Sequence, residues 1–381
     1  MKRTIAALVA VIVLIAAALA WCWHERHWQA WEAFSKVFVQ ADGRVIDRTA
    51  GDRSTSEAQA YGLFFALVAN DRVRFERILN WTVNNLAQGD LSTHLPAWLW
   101  GSTEAGGWGV KDANPASDAD LWLAYTLIEA ARLWQHPDYA VIGRALLSQV
   151  KASEVADVPG FGLMLLPAPQ GFKAEDGSWR FNPSYLPEFQ FRWLAKQDPQ
   201  GPWNAIWQNH LKAMQTLMVN GIAPDWYEVL PDGQIAADRQ TQGISSYDAI
   251  RVPLWAGMTP PIKGRDNLLL TLLAPYAQRI ADLQTPPEKL DSRTGEASGG
   301  APLGFSAAVL PLLADMHEDT AANQRLRLKK SRVDGNLGAP PHYYDQALAM
   351  FGEGWDSKRF RLTEDGRLIP RWERSCCEWL H

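Results

Sequence analysis

Apolar residues recur at helical spacing along most of the chain, and the stretches between them are rich in Gly, Pro, Asp and Asn. Two short segments, 45–47 and 360–369, are better candidates for β-strands. About twelve helices would fit a double ring of six helical hairpins, although periodicity alone allows other all-α arrangements. The pattern predicts helices over residues 27–39, 56–69, 72–87, 118–135, 138–152, 186–197, 202–218, 246–257, 267–284, 304–316, 319–329 and 342–352.

The predicted linkers are long for a helical protein. Unstructured loops beyond about 12–15 residues are uncommon and are often functional. Several of these linkers carry aromatic residues that could wall an open cleft on a helical scaffold. The aromatic-bearing linkers are 88–115, with Trp98, Trp100 and Trp108, 155–184, with Trp179, and 221–244, with Trp226 and Tyr227.

Composition indicates one large globular unit. The chain has 381 residues, of which 47% are apolar, and its Gly and Pro residues are scattered rather than clustered. We therefore expect a single domain over residues 21–381. The net charge is -5 and there is no long basic run, which argues against nucleic acid as a partner.

The N-terminus has the pattern of a secretory signal. Basic residues at positions 2 and 3 precede an apolar run from Ile5 to Ala20, which ends in Ala18-Leu19-Ala20. The run of about 16 residues is short for a transmembrane helix, which needs about 20. Residues 1–20 are thus predicted to be a cleaved signal peptide, with an uncleaved N-terminal anchor as the alternative. Either interpretation points to a periplasmic or secreted protein.

The three cysteines do not suggest a metal site. Cys22 lies near the predicted cleavage point, and Cys376 and Cys377 are adjacent near the C-terminus. Their spacing is not that of zinc ligands. A bridge from Cys22 to one of the tail pair and three free thiols remain equal alternatives.

Three acidic segments lie at predicted helix starts. A Ser followed three residues later by an acid is the spacing of a capping box, so the simplest interpretation is three capped helices. An alternative follows from the 19 Trp residues. Separated carboxyl groups and flat aromatic faces are the chemistry that cleaves a sugar polymer. The segments are Ser54-Thr55-Ser56-Glu57, Ala116-Ser117-Asp118-Ala119-Asp120, and Ser245 to Arg251 with Asp248.

A helix start favours the ionised form of a carboxyl group. That suits a base but opposes a general acid, which must hold its proton near neutral pH. If Glu57 is the acid, burial or a neighbouring carboxylate must therefore raise its pKa, and Asp118 is a candidate for that neighbour.

The second segment resembles the signature of family 8 glycoside hydrolases. The match covers Ala116-Ser117-Asp118-Ala119-Asp120 and the spaced Ala124, Leu127, Ala130 and Trp134, while Leu123 and Thr126 depart from the usual residues. The resemblance spans about residues 28–375 and is nearest to cellulases associated with bacterial cellulose synthesis. Other matching segments are 43–47, 55–57, 95–101, 179–186, 245–252 and 304–306.

The resemblance implies an (α/α)6 barrel whose long loops form an open substrate cleft. It also implies endo-acting hydrolysis of β-1,4-glucan with inversion, without a cofactor or metal. Glu57 matches the general acid, Asp248 the general base, and Asp118 the residue that holds the distorted sugar. The implied substrate-binding residues are Trp98, Trp100, Tyr185, Tyr247 and Arg251.

The implied partners are a β-1,4-glucan chain and the cellulose synthase export complex, and we expect a monomer. Two alternatives remain open at this point. The same fold could act on another β-1,4-glycan such as chitosan, xylan or lichenan, because loops select the substrate. The chain could instead be a glucan-binding factor without catalytic activity, although it retains all three acids.

Overall fold

The structure is a computed structural model that describes residues 27–104, 106–265 and 267–373. The predicted signal peptide and the three cysteines lie outside these ranges. Thirteen α-helices make up about half of the described chain. They are α1 Gln29–Phe38, α2 Ser56–Val68, α3 Arg72–Leu86, α4 Ser117–Trp134, α5 Pro137–Ser153, α6 Glu188–Gln197, α7 Trp203–Leu217, α8 Arg251–Met258, α9 Leu268–Leu283, α10 Leu303–Ala308, α11 Leu310–Met316, α12 Glu318–Lys330 and α13 Tyr343–Asp356.

The helices form two concentric rings, which confirms the predicted (α/α)6 barrel. The inner ring is α2, α4, α6, α8, the pair α10–α11, and α13. The outer ring is α3, α5, α7, α9, α12 and α1, so the last hairpin joins the two ends of the described chain. All residues of α8 are buried, as are those of α2 from Ala58 onward. A helix that is apolar all round belongs inside a fold, which explains the inner position of these two.

Aromatic side chains fill the centre of the inner ring. The ring of Phe351 on α13 lies 5.0–5.5 Å, centroid to centroid, from the rings of Tyr61, Phe64, Trp122 and Trp255. These four neighbours come from α2, α4 and α8, so one side chain joins four inner helices. A Cβ at position 352 would approach the carbonyl oxygen of Ala307 to 1.9 Å, so glycine there lets α13 pack closely against α10.

Eleven of the twelve predicted helices correspond to single helices of the structure. The predicted helix 304–316 is instead divided into α10 and α11, with Val309 between them and Pro311 in the first turn of α11. Proline has no N–H to donate, so it suits a helix start rather than a helix interior. The predicted helix 246–257 begins later than expected, at Arg251, and this changes the setting of Asp248.

Short antiparallel strands, most of them missed at the level of sequence, order the long linkers. The predicted strand region 360–369 is confirmed as the hairpin β14–β15, whereas 45–47 forms only isolated bridges. In the described residues no helix is long and apolar enough to cross a membrane. The strands are β1 Ser54–Thr55, β2 Leu99–Ser102, β3 Trp108–Asp112, β4 Val155–Val158, β5 Gly162–Leu165, β6 Trp179–Phe181, β7 Tyr227–Val229, β8 Ile235–Ala237, β9 Ile244–Ser245, β10 Lys289–Asp291, β11 Ala297–Ser298, β12 Arg332–Val333, β13 Asn336–Leu337, β14 Phe360–Leu362 and β15 Leu368–Pro370.

Candidate active site

The first and third acidic segments meet in one open cavity of about 350 Å³. A larger depression of about 450 Å³, around Trp28 and Glu353, contains none of the predicted site residues. The smaller cavity is therefore the candidate active site. It is lined by Asp47, Arg53, Thr55, Glu57, Ala58, Tyr61, Trp98, Tyr247, Asp248, Arg251, Tyr343 and Tyr344.

Glu57 lies in the first turn of α2, but it is not the residue that caps the helix. The cap is Thr55, whose side-chain oxygen accepts a hydrogen bond from the Ala58 N–H at 3.1 Å. Burial raises the pKa of the Glu57 carboxyl, against the opposing effects of its own backbone N–H and the charge of Arg251. Although Glu57 reaches the cavity, the surrounding protein removes enough water to favour the protonated form. A carboxyl group in that state can act as a proton donor.

Asp118 is buried in the first turn of α4, directly behind the cavity. The capping interpretation fails for this segment, because the helix begins at Ser117 and Ala116 makes no side-chain cap. One Asp118 oxygen accepts from the Ala119 N–H at 2.8 Å, and the other lies 3.1 Å from the guanidinium of Arg251. Burial and the nearby charge of Glu57 outweigh these contacts and raise the pKa of Asp118 to about 7.

Asp248 occupies the turn before α8, not the first turn of a helix as the sequence predicted. A second acid holds this turn, since one oxygen of Asp225 accepts from the N–H groups of Ser246 and Ala249 at 2.7 and 2.8 Å. The Asp248 carboxylate accepts from the Trp226 indole N–H at 2.9 Å and from Arg251 at 2.8 Å. A carboxylate has about four lone-pair positions, so it can still accept from a water molecule.

Arg251 joins the second and third acidic segments. Its buried guanidinium forms ion pairs with Asp118 at 3.1 Å and with Asp248 at 2.8 Å, and it also donates to the Tyr61 hydroxyl at 3.3 Å. The planar fork of an arginine is suited to holding two carboxylates in a fixed relation. Asp118 is thereby linked to the cavity although it does not line it.

The predicted aromatic residues fall into different positions. Trp98 and Tyr247 line the cavity, and Tyr247 is 46% exposed. Tyr185 lies outside the lining, where the Arg251 guanidinium sits 5.6 Å above its ring. Tyr185 therefore supports the arginine rather than forming the cavity wall.

Trp100 and Trp98 do not follow the alternation of a regular strand, since Trp98 precedes β2 and the pairing of β2 with β3 shifts register between Leu99 and Trp100. Residues that pair across antiparallel strands point to the same face, and Trp100 pairs with the buried Ser54, between the cavity residues Arg53 and Thr55. Its indole packs edge-on against Trp81 at 5.3 Å and stacks on Trp108 at 5.4 Å. Trp100 thus lies on the face of the sheet that points away from the cavity.

Several residues of the site were not predicted. Asp225 fixes the Asp248 turn and Trp226 donates to Asp248, while Tyr61 and Tyr344 complete the walls. The aromatic-bearing linker 221–244 pointed to the neighbourhood of Trp226. No pattern marked Asp225, because its role depends on backbone N–H groups more than twenty positions away. Within the described ranges no group of three or more His, Cys, Asp or Glu side chains could hold a metal ion.

An (α/α)6 barrel with separated acids in an open cavity defines a class of sugar-polymer hydrolases. The family model of the glycosyl hydrolases family 8 matches residues 1–358. The chain belongs to this family of glycoside hydrolases.

Relatives and solved structures agree with this family. An endoglucanase of Escherichia coli O157:H7 is 45% identical over 352 residues, covering 92% of both chains. An endoglucanase of Xanthomonas axonopodis pv. citri is 44% identical over 370 residues, covering 96% of this chain and 94% of that one. The crystal structure of an endo-1,4-D-glucanase from Vibrio fischeri ES114 superimposes with a TM-score of 0.84 at 36% identity, covering 91% of this chain and all of that one.

Proposed function

We propose that the chain hydrolyses internal bonds of a β-1,4-glucan, with cellulose as the substrate, and inverts the anomeric configuration. The observation that carries the proposal is that Glu57 and Asp248 line the same open cavity. The relatives named as endoglucanases support the substrate class. An open cavity suits a polymer chain, which must enter along its length rather than by one end.

Glu57 is the proposed general acid. It would give its proton to the glycosidic oxygen as the bond to the anomeric carbon breaks, so that the leaving sugar departs as a neutral alcohol. This step needs a carboxyl group that is still protonated near neutral pH. Burial raises the pKa of Glu57, which is the direction that this role requires.

Asp248 is the proposed general base. A water molecule on the opposite face of the sugar would give a proton to Asp248 while its oxygen bonds to the anomeric carbon, which inverts the configuration. The hydrogen bonds from Trp226 and Arg251 fix the carboxylate for this role. Asp118, held by Arg251, is proposed to hold the distorted sugar at the cleavage point.

Trp98 and Tyr247 are the proposed stacking surfaces for neighbouring sugars, because both line the cavity. Arg251 is proposed to bind at the cleavage subsite, supported from outside the cavity lining by Tyr185. Trp100 is proposed to act on binding only indirectly, through the sheet that carries Trp98.

We further propose a periplasmic or secreted location for one catalytic domain, residues 21–381, that acts as a monomer. Residues 1–20 would serve as the signal peptide or anchor. The proposed physiological role is hydrolysis of glucan during cellulose synthesis and export, with the cellulose synthase export complex as a partner. This role rests on the sequence resemblance of the segments described above.

Proton NMR of the first products from cellohexaose tests the reaction. We expect α-anomers first, from cuts at internal bonds, and a rapid fall in the viscosity of carboxymethylcellulose. Chitosan, xylan and lichenan serve as comparison substrates. Initial β-anomers would exclude inversion, and release of single sugars from one end would exclude the endo mode. Faster turnover of another glycan would show that this glycan, and not cellulose, is the substrate.

A further inference from the structure

Two acidic residues that the proposed reaction does not use lie buried behind the cavity. Asp120 in α4 and Glu154, which directly follows α5, are each 0% exposed. Apart from the other acid of the pair, none of their four carboxyl oxygens has a hydrogen-bond partner in the described part of the chain. Unsatisfied buried polar groups are rare in native proteins, so this pair calls for a physical explanation.

The two carboxyl groups are hydrogen-bond partners of each other. The bond lowers the pKa of Glu154 and raises the pKa of Asp120, and a hydrogen bond between two carboxyl groups requires a proton on one of them. Two ionised carboxylates could only accept, and their repulsion in a buried site would be severe. Burial is the largest cause of the shifts, and it raises the pKa of Glu154 to about 8 and that of Asp120 well above its usual range.

The pair lies where three segments meet. The Ser117 N–H at the start of α4 donates to the Pro167 carbonyl at 3.0 Å. The Leu166 N–H, after the β4–β5 hairpin, donates to the Glu154 carbonyl at 2.7 Å. The start of α4, the end of α5 and the end of the hairpin are therefore joined around Asp120 and Glu154.

The same segment continues to the Asp248 side of the cavity. After Pro167 the chain reaches Phe172, whose ring stacks on Trp226 at 5.7 Å and 8° between the planes. Trp226 in turn donates to Asp248. A displacement of this segment would move the support of Asp248 as well as the helix start that carries Asp118.

We propose that Asp120 and Glu154 form a carboxyl pair that retains at least one shared proton at neutral pH and thereby positions Asp118 and, through Phe172 and Trp226, Asp248. The two are positioning residues, and their effect on catalysis rests on the proposed roles of Asp118 and Asp248. Besides Glu154, the charged groups that act most on Asp120 are Asp118 and Glu57, while Asp118 acts on Glu154. All are acidic, so each favours retention of the proton.

The pair has a consequence for stability. A carboxyl group whose pKa is raised by folding contributes fully below its unfolded pKa, and this contribution is lost as the pH rises through the folded pKa. For Glu154 the loss extends from about pH 4.5 to about pH 8. The free energy of unfolding should therefore decline over this range, in part because of this pair.

Urea unfolding of the purified protein at pH 5, 7 and 9 tests the pair without reference to activity. Asp120→Asn supplies a permanent N–H donor to Glu154, and Glu154→Gln removes the group that titrates at about pH 8. Both should flatten the decline with pH. Asp120→Ala also removes one titrating group, but it leaves the buried Glu154 without its partner and should lower the apparent Tm at pH 8 by about 5–10 °C relative to the wild type. Thr126→Val is the matched control, since Thr126 is equally buried on α4.

Activity separates positioning from a purely structural role. Because a displacement of about 1 Å can cost about 100-fold in rate, Asp120→Ala should lower kcat at least tenfold at a pH where it remains folded, with a smaller change in KM. Asp120→Asn should restore kcat to within about threefold of the wild-type value.

Three outcomes would contradict parts of the proposal. If the free energy of unfolding declines equally with pH in the wild type and in Asp120→Asn, the pair does not share a proton. If the slopes differ as expected but a folded Asp120→Ala variant keeps normal kcat, the positioning role is wrong and the pair is structural. If the wild type cleaves no glucan, the proposed function fails while the unfolding result still decides the pair.

Discussion

The guanidinium of Arg251 lies 3.1 Å from the carboxylate of Asp118, a residue 133 positions earlier in the chain. The same guanidinium lies 2.8 Å from Asp248, so one side chain fixes the distance between two inner helices at the cavity. The contact with Asp118 is buried, so water screens it little, whereas the contact with Asp248 is only partly buried. We therefore expect the site to be sensitive to substitution of Arg251.

Arg251→Lys should lower kcat by about 10–100-fold. Lysine keeps the charge but has no planar fork, so it cannot hold both carboxylates in the same geometry. Steady-state kinetics on cellohexaose measure the effect. Arg192→Lys is a suitable control, because Arg192 pairs with Glu188 on another inner helix and does not line the cavity. Equal kcat values for Arg251→Lys and the wild type would show that the bridge is dispensable.

Glu57→Gln should remove hydrolysis while leaving the fold intact. Thr55, not Glu57, caps α2, so the helix should lose little stability. Turnover of carboxymethylcellulose should fall by at least about 100-fold, because positioned acids typically contribute about 10²–10⁴-fold. Binding of cello-oligosaccharides, measured by calorimetry, should stay within a few-fold.

Glu188→Gln is the matched control for that variant, because Glu188 also lies in the first turn of an inner helix. It should keep near-normal turnover. A stable Glu57→Gln protein with wild-type activity would falsify the assignment of the general acid.

Trp226→Phe should lower kcat by about 10–100-fold with little change in KM. Phenylalanine keeps a ring to stack on Phe172 but loses the indole N–H that donates to Asp248 at 2.9 Å. A hydrogen bond to a charged group contributes about 1.5–3 kcal/mol, which sets the expected range. Phe172→Leu, which removes the stack and keeps the hydrogen bond, separates the two contributions. The interpretation fails if Phe172→Leu is the more damaging change to kcat.

Trp98→Ala should mainly weaken substrate binding, whereas Trp100→Ala should mainly lower stability. Trp98 lines the cavity, so its loss should raise KM for cellohexaose by about 5–30-fold, equivalent to about 1–2 kcal/mol. Trp100 packs against Trp81 and Trp108 on the other face, so its loss should lower the apparent Tm and change KM by less than about twofold. A larger KM effect for Trp100→Ala would contradict the placement of the glucan.

In the pH dependence of kcat/KM, the loss of activity on the alkaline side should have a midpoint at a raised pH. A general acid works only while protonated, so activity is lost as the pH rises through its pKa. Because burial raises the pKa of Glu57, the midpoint should lie clearly above 4.5, the usual value for a glutamate. Rates from pH 3 to 10 on a soluble substrate measure it. A limb centred near pH 4.5 would be inconsistent with a buried acid.

Local sequence patterns predicted the helices well, because helical periodicity reports which face of a segment is buried. The long periodic stretches that became α2, α4 and α5 are within about two residues of their predicted bounds. The family signature around Asp118 and the segments around Glu57 and Asp248 pointed to three candidate acids, since each lies in a short contiguous motif. Most of the strands, which have two to five residues, were missed, because so few residues carry no clear alternation.

Tertiary structure decided the surroundings of each candidate residue. Trp98, which precedes β2, lines the cavity, whereas Trp100 pairs with Ser54 and packs against Trp81 and Trp108, although a regular strand would put residues two positions apart on one face. Burial, which no local pattern measures, raises the pKa of Glu57 and outweighs the backbone N–H at the helix start, which lowers it. The links from Asp225 to the Asp248 turn, and from Arg251 to Asp118, join residues far apart in the chain. The sequence by itself determined most of the helices and pointed to three candidate acids, whereas the closed ring of helices set their hydrogen-bond partners and the raised pKa values of Glu57 and Asp118, because those depend on contacts between segments.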